Sequence, residues 1–223
     1  MSKIWSKPGI RGTIIIAGLA VVVISGSFLY GSGAEDEPKG PLVCETDSAS
    51  ATSPLFETQL SDVAIETLGK EPVMLHDLAG EKFTALVFCS YRCPCSDGYT
   101  ERLQALRETF EPKGVQFVAI HSNLDENIEG MKAYANRQNY PLEIYRDDGA
   151  VLADMLKAAV TPEVYVFNGD WVLQYHGRID DDKGGLFVED ETLKHALDTL
   201  LTGNQLVERE KIAMGCAITR VTM

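Results

Sequence analysis

Residues 83–110 read FTALVFCSYRCPCSDGYTERLQALRETF. The opening run, 83–89, is apolar and of strand length, which predicts a central strand covered on both faces. The closing run, 96–110, carries Tyr99, Leu103, Leu106 and Phe110 at helical spacing, which predicts a helix with one buried stripe. The chain turns between them, and Pro94 suits the first helical position, where its missing N–H costs nothing. Cys93 then stands at a helix N-terminus. Unpaired backbone N–H groups and the helix dipole favour the thiolate there, and the thiolate is the nucleophilic form of cysteine. Arg92 acts in the same direction, whereas Asp97 in the first turn opposes it.

Outward from this stretch, strands and helices alternate. Residues 64–68 and 73–75 form a short extended pair closed by the Ala79-Gly80 turn, and 115–121 is a second buried strand. A helix is expected over 126–138 with Ile128, Met131 and Ala135 inward, then a short strand at 142–145 and a helix at 150–157. Two β-rich runs, 163–167 and 171–179, flank Asn168-Gly169-Asp170, a hairpin turn signal. A last helix over 191–201 is stopped by Gly203. Alternation implies a parallel sheet segment and the hairpin adds antiparallel strands, so the fold class is α/β, a central mixed sheet flanked by helices.

The N-terminal part is organised differently. Lys3, Lys7 and Arg11 precede a stretch without charge, GTIIIAGLAVVVISGSFLY over residues 12–30, close to the minimum length for a spanning helix. Glu35, Asp36 and Glu37 follow it, and the positive-inside rule then exports the rest of the chain. The competing reading is a cleaved signal peptide, with Ser32-Gly33-Ala34 as the cleavage site. The length of the apolar stretch favours an uncleaved single-pass anchor. Residues 1–30 are therefore read as a membrane anchor or signal segment and 31–59 as a flexible linker rich in acids, Ser, Gly and Pro. The folded domain covers 60–203, and 204–223 is a tail that contains Cys216.

A chain of 223 residues with 45% hydrophobic and 24% charged residues can bury a sizeable core. Its formal net charge of −13 argues against nucleic acid as a partner, because phosphate binding needs clustered Lys and Arg. Five cysteines are present, and Cys89, Cys93 and Cys95 fall within seven residues. An odd count leaves one able to stay unpaired or to attack a partner, and in an exported domain thiols can be oxidised.

The run through Cys93-Pro94, with Tyr99 and Glu101-Arg102-Leu103 after it, resembles the peroxiredoxin-like branch of the thioredoxin superfamily, the redoxin and alkyl-hydroperoxide-reductase/thiol-specific-antioxidant relatives. Further matches are Gly114–Ile120 before Ser122-Asn123, Thr161-Pro162-Glu163-Val164, the run from Tyr175 to Asp181, and Gly215-Cys216-Ala217-Ile218. The resemblance covers residues 60–219. It implies a thioredoxin-like fold, disulfide- or peroxide-directed chemistry without an organic cofactor, and a thiol protein as electron donor or client. It also implies a cis-proline at Thr161-Pro162 facing the active cysteine, in a loop that presents backbone to a bound peptide. One departure stands out: where relatives carry a C-x-x-C pair ending at Cys93, the first member here is Ser90. Cys93 is the expected attacker, and the resolving partner stays open among Cys95, Cys89 and Cys216. Peroxidases of this group place Thr or Ser three residues before the attacker, as Ser90 is, with Pro four residues earlier, where Leu86 stands here. That favours disulfide exchange.

Two other readings compete. Three close thiolates suit Cu(I) or Zn, and Cys89, Cys93, Cys95 and His121 could form a metal site of a metallochaperone-like module. A redox-inactive relative could use the fold only for docking. Among the remaining residues, Thr84 and Ser90 are candidates to hydrogen-bond the thiolate and Arg178 to lie near it. His176 is expected to face solvent from a strand, His76 to be exposed in a turn, and Cys44 to be incidental.

Overall fold

The computed structural model describes residues 54–220. The predicted apolar span at 12–30 and Cys44 lie outside these residues; among the described residues no helix is long and apolar enough to cross a membrane.

In chain order the strands are β1 (Ala64–Thr67), β2 (Val73–Met74), β3 (Phe83–Phe88), β4 (Val115–His121), β5 (Ile144–Arg146), β6 (Val160–Thr161), β7 (Glu163–Asn168), β8 (Leu173–Gly177) and β9 (Cys216–Ala217). The helices are α1 (Pro94–Asp97), α2 (Thr100–Phe110), α3 (Ile128–Gln138), α4 (Val151–Leu156) and α5 (Thr192–Leu201). Seven strands form one mixed sheet in the order β2-β1-β5-β4-β3-β7-β8, and β6 and β9 form a separate two-stranded ribbon. Strands β3, β4 and β5 are parallel neighbours, joined through helices, whereas β7 runs antiparallel beside β3 and β8 beside β7.

The sheet is buried on both faces because its central strands are apolar at most positions, with Thr84, Gln116, His121, Glu163 and Asn168 as the polar exceptions. Side chains alternate between faces. Ala85, Val87, Phe117, Ala119, Val164 and Val166 meet Leu103, Leu106 and Phe110 of α2 and Leu193, Leu197 and Leu200 of α5 on one side. Leu86, Phe88, Val118, Ile120, Tyr165 and Phe167 meet Phe56, Leu60, Leu75 and the α4 residues Leu152 and Leu156 on the other. Burying each of the Val, Leu, Ile and Phe side chains contributes about 1.5–3 kcal/mol relative to exposure.

Three local expectations are revised. The helix expected over 96–110 breaks after α1. The segment carrying Lys183 presses against Gly98, where an added Cβ would lie 2.7 Å from the Lys183 carbonyl oxygen. Arg102 takes up the carbonyls of both Gly98 and Lys183 at 2.9 Å, so the break leaves no orphaned acceptor there. Tyr134, fully buried, carries the inward face of α3 beside Met131, while Ile128 and Ala135 are only half-buried. Strand β8 begins at Leu173, because Trp171 adopts a left-handed φ of 57° and Asn168 Oδ1 accepts the N–H groups of Asp170 and Val172.

The same register builds a reactive edge. Phe88 pairs with Ile120 on one side and with Glu163 on the other. The chain leaving β3 therefore emerges beside the start of β7, and Thr161-Pro162 is brought next to residues 89–93.

Candidate active site

Cys93 is the N-cap of α1, with Pro94 opening the helix. Its carbonyl accepts the N–H groups of Ser96 at 3.0 Å and Asp97 at 3.3 Å, and its own N–H donates to the Ser90 carbonyl at 3.2 Å. The loop below is pinned by a buried polar chain. Ser90 Oγ donates to Glu126 Oε1 at 2.6 Å and accepts the Arg92 N–H at 3.1 Å. Glu126 Oε2 lies 2.8 Å from His121 Nδ1, with both side chains fully buried. Glu126 thus ties the end of β4 to the loop that carries Cys93, and burying this carboxylate is supportable because both oxygens have donors.

The Thr161-Pro162 peptide bond is cis. The Thr161 carbonyl oxygen lies 3.1 Å from Cys93 Sγ, an acceptor for the thiol when Cys93 is reduced. From the far end of the chain, β9 pairs antiparallel with β6, Thr161 opposite Cys216 and Val160 opposite Ala217. This approach is close enough to require a glycine: a Cβ on Gly215 would stand 2.1 Å from the Thr161 carbonyl oxygen. Beyond the ribbon, the Ile218 N–H donates to the Ala159 carbonyl at 2.9 Å, and Asn123 Oδ1 accepts the Thr219 N–H at 2.7 Å. Arg220 Nε reaches Asp154 at 2.7 Å.

The docked tail closes a disulfide between Cys93 and Cys216, 123 residues apart in sequence, with Cα atoms 5.9 Å apart. That spacing falls in the range a disulfide spans without moving the backbone. Cys95, on the first turn of α1 and 7% exposed, keeps its thiol, and its sulfur lies within 4.8 Å of both bridged sulfurs. Cys89 is separate. Its thiol is buried, accepts a hydrogen bond from Tyr140 Oη at 3.1 Å, and is pushed by burial from 9.0 up to about 12.

The residues singled out from the sequence therefore divide. Cys93, Pro94, Cys95, Thr161, Pro162 and Cys216 come together. The alternative metal set of Cys89, Cys93, Cys95 and His121 is not brought together: the sulfurs that gather within 4.8 Å are those of Cys93, Cys95 and Cys216, while Cys89 accepts from Tyr140 and His121 Nδ1 lies against Glu126. Ser90 and Thr84 do not serve the thiol, because Ser90 Oγ is held by Glu126 and Thr84 Oγ1 accepts the Gly80 N–H at 2.9 Å. Arg92 is exposed and paired with Asp125 at 3.2 Å. Arg178 pairs with Asp190 at 3.0 Å, and its Nε donates to Thr192 Oγ1. His176 does not face solvent: it stacks on Tyr165, lies 2.5 Å from Glu163, and is covered by the segment carrying Glu210. His76 is half-buried and stacks on Trp171. Glu126 and Tyr140 were not singled out. Glu126 reads as one acid at a predicted helix start and Tyr140 as a helix-end aromatic, so neither has a pattern that marks it.

Comparison with known proteins agrees with this architecture. Residues 53–181 match the AhpC/TSA family, a span that includes Cys93 and Pro162 and stops short of Cys216. No curated protein matches the sequence. Among solved structures, an uncharacterized conserved protein from Geobacillus kaustophilus is 31% identical, with a TM-score of 0.68 over 74% of this chain and 92% of that one. A hypothetical protein from Sinorhizobium meliloti is 25% identical, with a TM-score of 0.66 over 74% and 94%. The peroxidoxin BcpB from Mycobacterium tuberculosis shares the fold at 14% identity, with a TM-score of 0.52 over 67% and 97%.

Proposed function

The chain belongs to the AhpC/TSA family of thiol oxidoreductases, and on that premise we propose that it exchanges disulfides through Cys93, with Cys216 as the resolving cysteine. The Cys93 thiolate attacks one sulfur of a partner disulfide, forming a mixed disulfide and releasing the other sulfur as a thiolate. The Cys216 thiolate then attacks Cys93 Sγ, displaces the remaining partner sulfur and leaves the Cys93–Cys216 disulfide. Two electrons have passed to the partner, and a second dithiol protein returns the chain to its reduced form.

The observation that carries this reading is the Cys93–Cys216 bridge across the cis-proline loop. Backbone pairing of β9 with β6 holds the two sulfurs in attack range without relying on either side chain. The state of Ser90 favours disulfides over peroxides. A hydroxyl meant to position a peroxide would have to face Cys93 Sγ, and this one donates to Glu126 instead. We place the domain on the extracytoplasmic side of a membrane, held by residues 12–30. Support comes from the uncharged stretch preceded by cations and from a disulfide chemistry that persists in oxidising compartments.

The test is to reduce the full chain, remove the reductant, and follow loss of the protein's own thiols, by quenched alkylation and mass spectrometry, on challenge with a disulfide-containing peptide and, separately, with hydrogen peroxide. The reading predicts two thiols lost per disulfide reduced, a faster rate with the peptide, and no reaction in Cys93→Ser. A peroxide rate exceeding the disulfide rate would reassign the substrate, and full reactivity in Cys93→Ser would remove Cys93 from the role.

A further inference from the structure

Opening the Cys93–Cys216 bridge leaves three thiols in one place. With the bridge closed, the sulfurs of Cys93, Cys95 and Cys216 already lie within 4.8 Å of one another. From this geometry we propose that the reduced protein binds one Cu(I) ion, coordinated by the three sulfurs of Cys93, Cys95 and Cys216.

The spacing suits the ion. A planar three-coordinate site with metal–sulfur arms of about 2.3 Å needs sulfurs about 4 Å apart. Reduction lets the two bridged sulfurs relax outward toward that separation, and Cys95 is already within reach of both. The three ligands also come from anchored backbone. Cys93 and Cys95 sit on the same short turn, tied by the Ser96 and Asp97 N–H groups donating to the Cys93 carbonyl. Cys216 is held by the β6–β9 register and by Ile218, which is 6% exposed.

The choice of ion follows from ligand type and number. Thiolates select soft cations, Cu(I) or Zn(II), over hard ones. Structural Zn(II) takes four protein ligands in a tetrahedron. Among the described residues, no fourth His, Cys, Asp or Glu joins the cluster. Burial of two of the three ligands also limits room for a water in a fourth position, since Cys93 is 2% exposed and Cys95 7%, with Cys216 half-buried. Three soft ligands in a largely closed site match a monovalent three-coordinate ion.

The copper site and the disulfide cannot coexist, because both use Cys93 and Cys216. The inference therefore rests on the proposed redox cycle only in requiring that the bridge opens. Loaded copper would hold the thiols against oxidation, and disulfide formation would release the ion.

The test uses the full chain, purified reduced under anaerobic conditions and titrated with Cu(I) in competition with a chromophoric Cu(I) chelator. The result expected is one equivalent withdrawn from the chelator, with near-ultraviolet thiolate-to-copper absorption. Affinity should fall at least about 100-fold in each of Cys93→Ser, Cys95→Ser and Cys216→Ser, and hold in Cys89→Ser. Binding that survives Cys95→Ser, or copper left on the chelator, would overturn the proposal. So would displacement of the bound copper by equimolar Zn(II). The same preparation is then oxidised and its bridge mapped. A chain that binds no copper yet still forms Cys93–Cys216 loses the copper site alone. A chain that binds copper but never forms the bridge keeps the site and loses the redox reading.

Discussion

Thr161 faces Cys216 in the β6–β9 register, and the Thr161 carbonyl oxygen lies 3.1 Å from Cys93 Sγ. One residue of the cis-proline loop thus addresses both halves of the disulfide, by backbone pairing on one side and by an acceptor for the thiol on the other. The tail occupies the edge of β6 through the β6–β9 pairing. In the oxidised chain that edge is taken by the protein's own C-terminal segment.

Gly215 makes this docking possible, and its replacement tests the role of the ribbon. A Cβ there would meet the Thr161 carbonyl oxygen at 2.1 Å, backbone against backbone, with no flexible atom to yield. In Gly215→Val the tail lifts from β6 while the seven-stranded sheet remains. Formation of the Cys93–Cys216 bridge after reduction should slow about tenfold or more, equivalent to 1.4 kcal/mol. Quenched alkylation gives the rate, and an unchanged far-ultraviolet circular dichroism spectrum verifies the fold. A wild-type rate would detach the ribbon from catalysis.

Cys89 should be inert despite its closeness in sequence. Burial raises its thiol from 9.0 to about 12, so at pH 8 its thiolate fraction is lower by about a thousandfold. In the reduced native chain, iodoacetamide at pH 8 should label Cys93 and leave Cys89 unmodified until denaturant is added. The same shift has a stability consequence. Its contribution is complete below pH 9, the unfolded value, and is lost as pH rises toward 12, because only the unfolded thiol ionises in that window. Unfolding in urea should show wild type losing stability between pH 9 and pH 10 more steeply than Cys89→Ala.

Arg102 fastens the break between α1 and α2. It pairs with Asp180 at 2.5 Å, donates to the Asp182 carbonyl at 2.6 Å, and lies over the Tyr99 ring at 3.8 Å. Asp180 is 6% exposed, so Arg102→Ala leaves a buried carboxylate without its cation, with the Asp182 N–H still donating to it. The cost should be about 3 kcal/mol in chemical unfolding. A loss under about 1 kcal/mol would show that the contact behaves like a surface ion pair.

The bridge also closes a loop of 123 residues. Cross-links of this kind typically contribute about 2–4 kcal/mol, chiefly by restricting the unfolded chain. The oxidised protein should therefore unfold at higher urea than the reduced one, and Cys216→Ser should match the reduced wild type under either condition. Equal midpoints for the oxidised and reduced chains would contradict a formed bridge.

How much of this could be read from the sequence depends on the range of each interaction. The buried strand at 83–89, the helix stripe from Leu103 to Phe110 and the placement of Pro94 are local patterns, and each is written in neighbouring residues. Thr161-Pro162 carries no local mark of a cis bond and was legible only through resemblance. The partner of Cys93 stayed open among Cys95, Cys89 and Cys216, because spacing along the chain does not say where the tail docks. Only the docking of β9 on β6, set by Gly215 and by contacts at Ile218 and Thr219, selects Cys216. Likewise Glu126 meets Ser90 across 36 residues, and His176 is covered by a segment beyond α5. Both are tertiary outcomes without a sequence signature. The break at Gly98 is of the same kind, since it follows from where Lys183 lands.

The most direct test of the account is to trap the intermediate in Cys216→Ser. The reduced variant is mixed with a disulfide-containing peptide, quenched with acid, and analysed by mass spectrometry with peptide mapping. A stable mixed disulfide on Cys93 is expected, absent from wild type, where Cys216 resolves it into the internal bridge. Rapid resolution in Cys216→Ser, with a Cys93–Cys95 or Cys89–Cys93 bridge in its place, would contradict the assignment of Cys216.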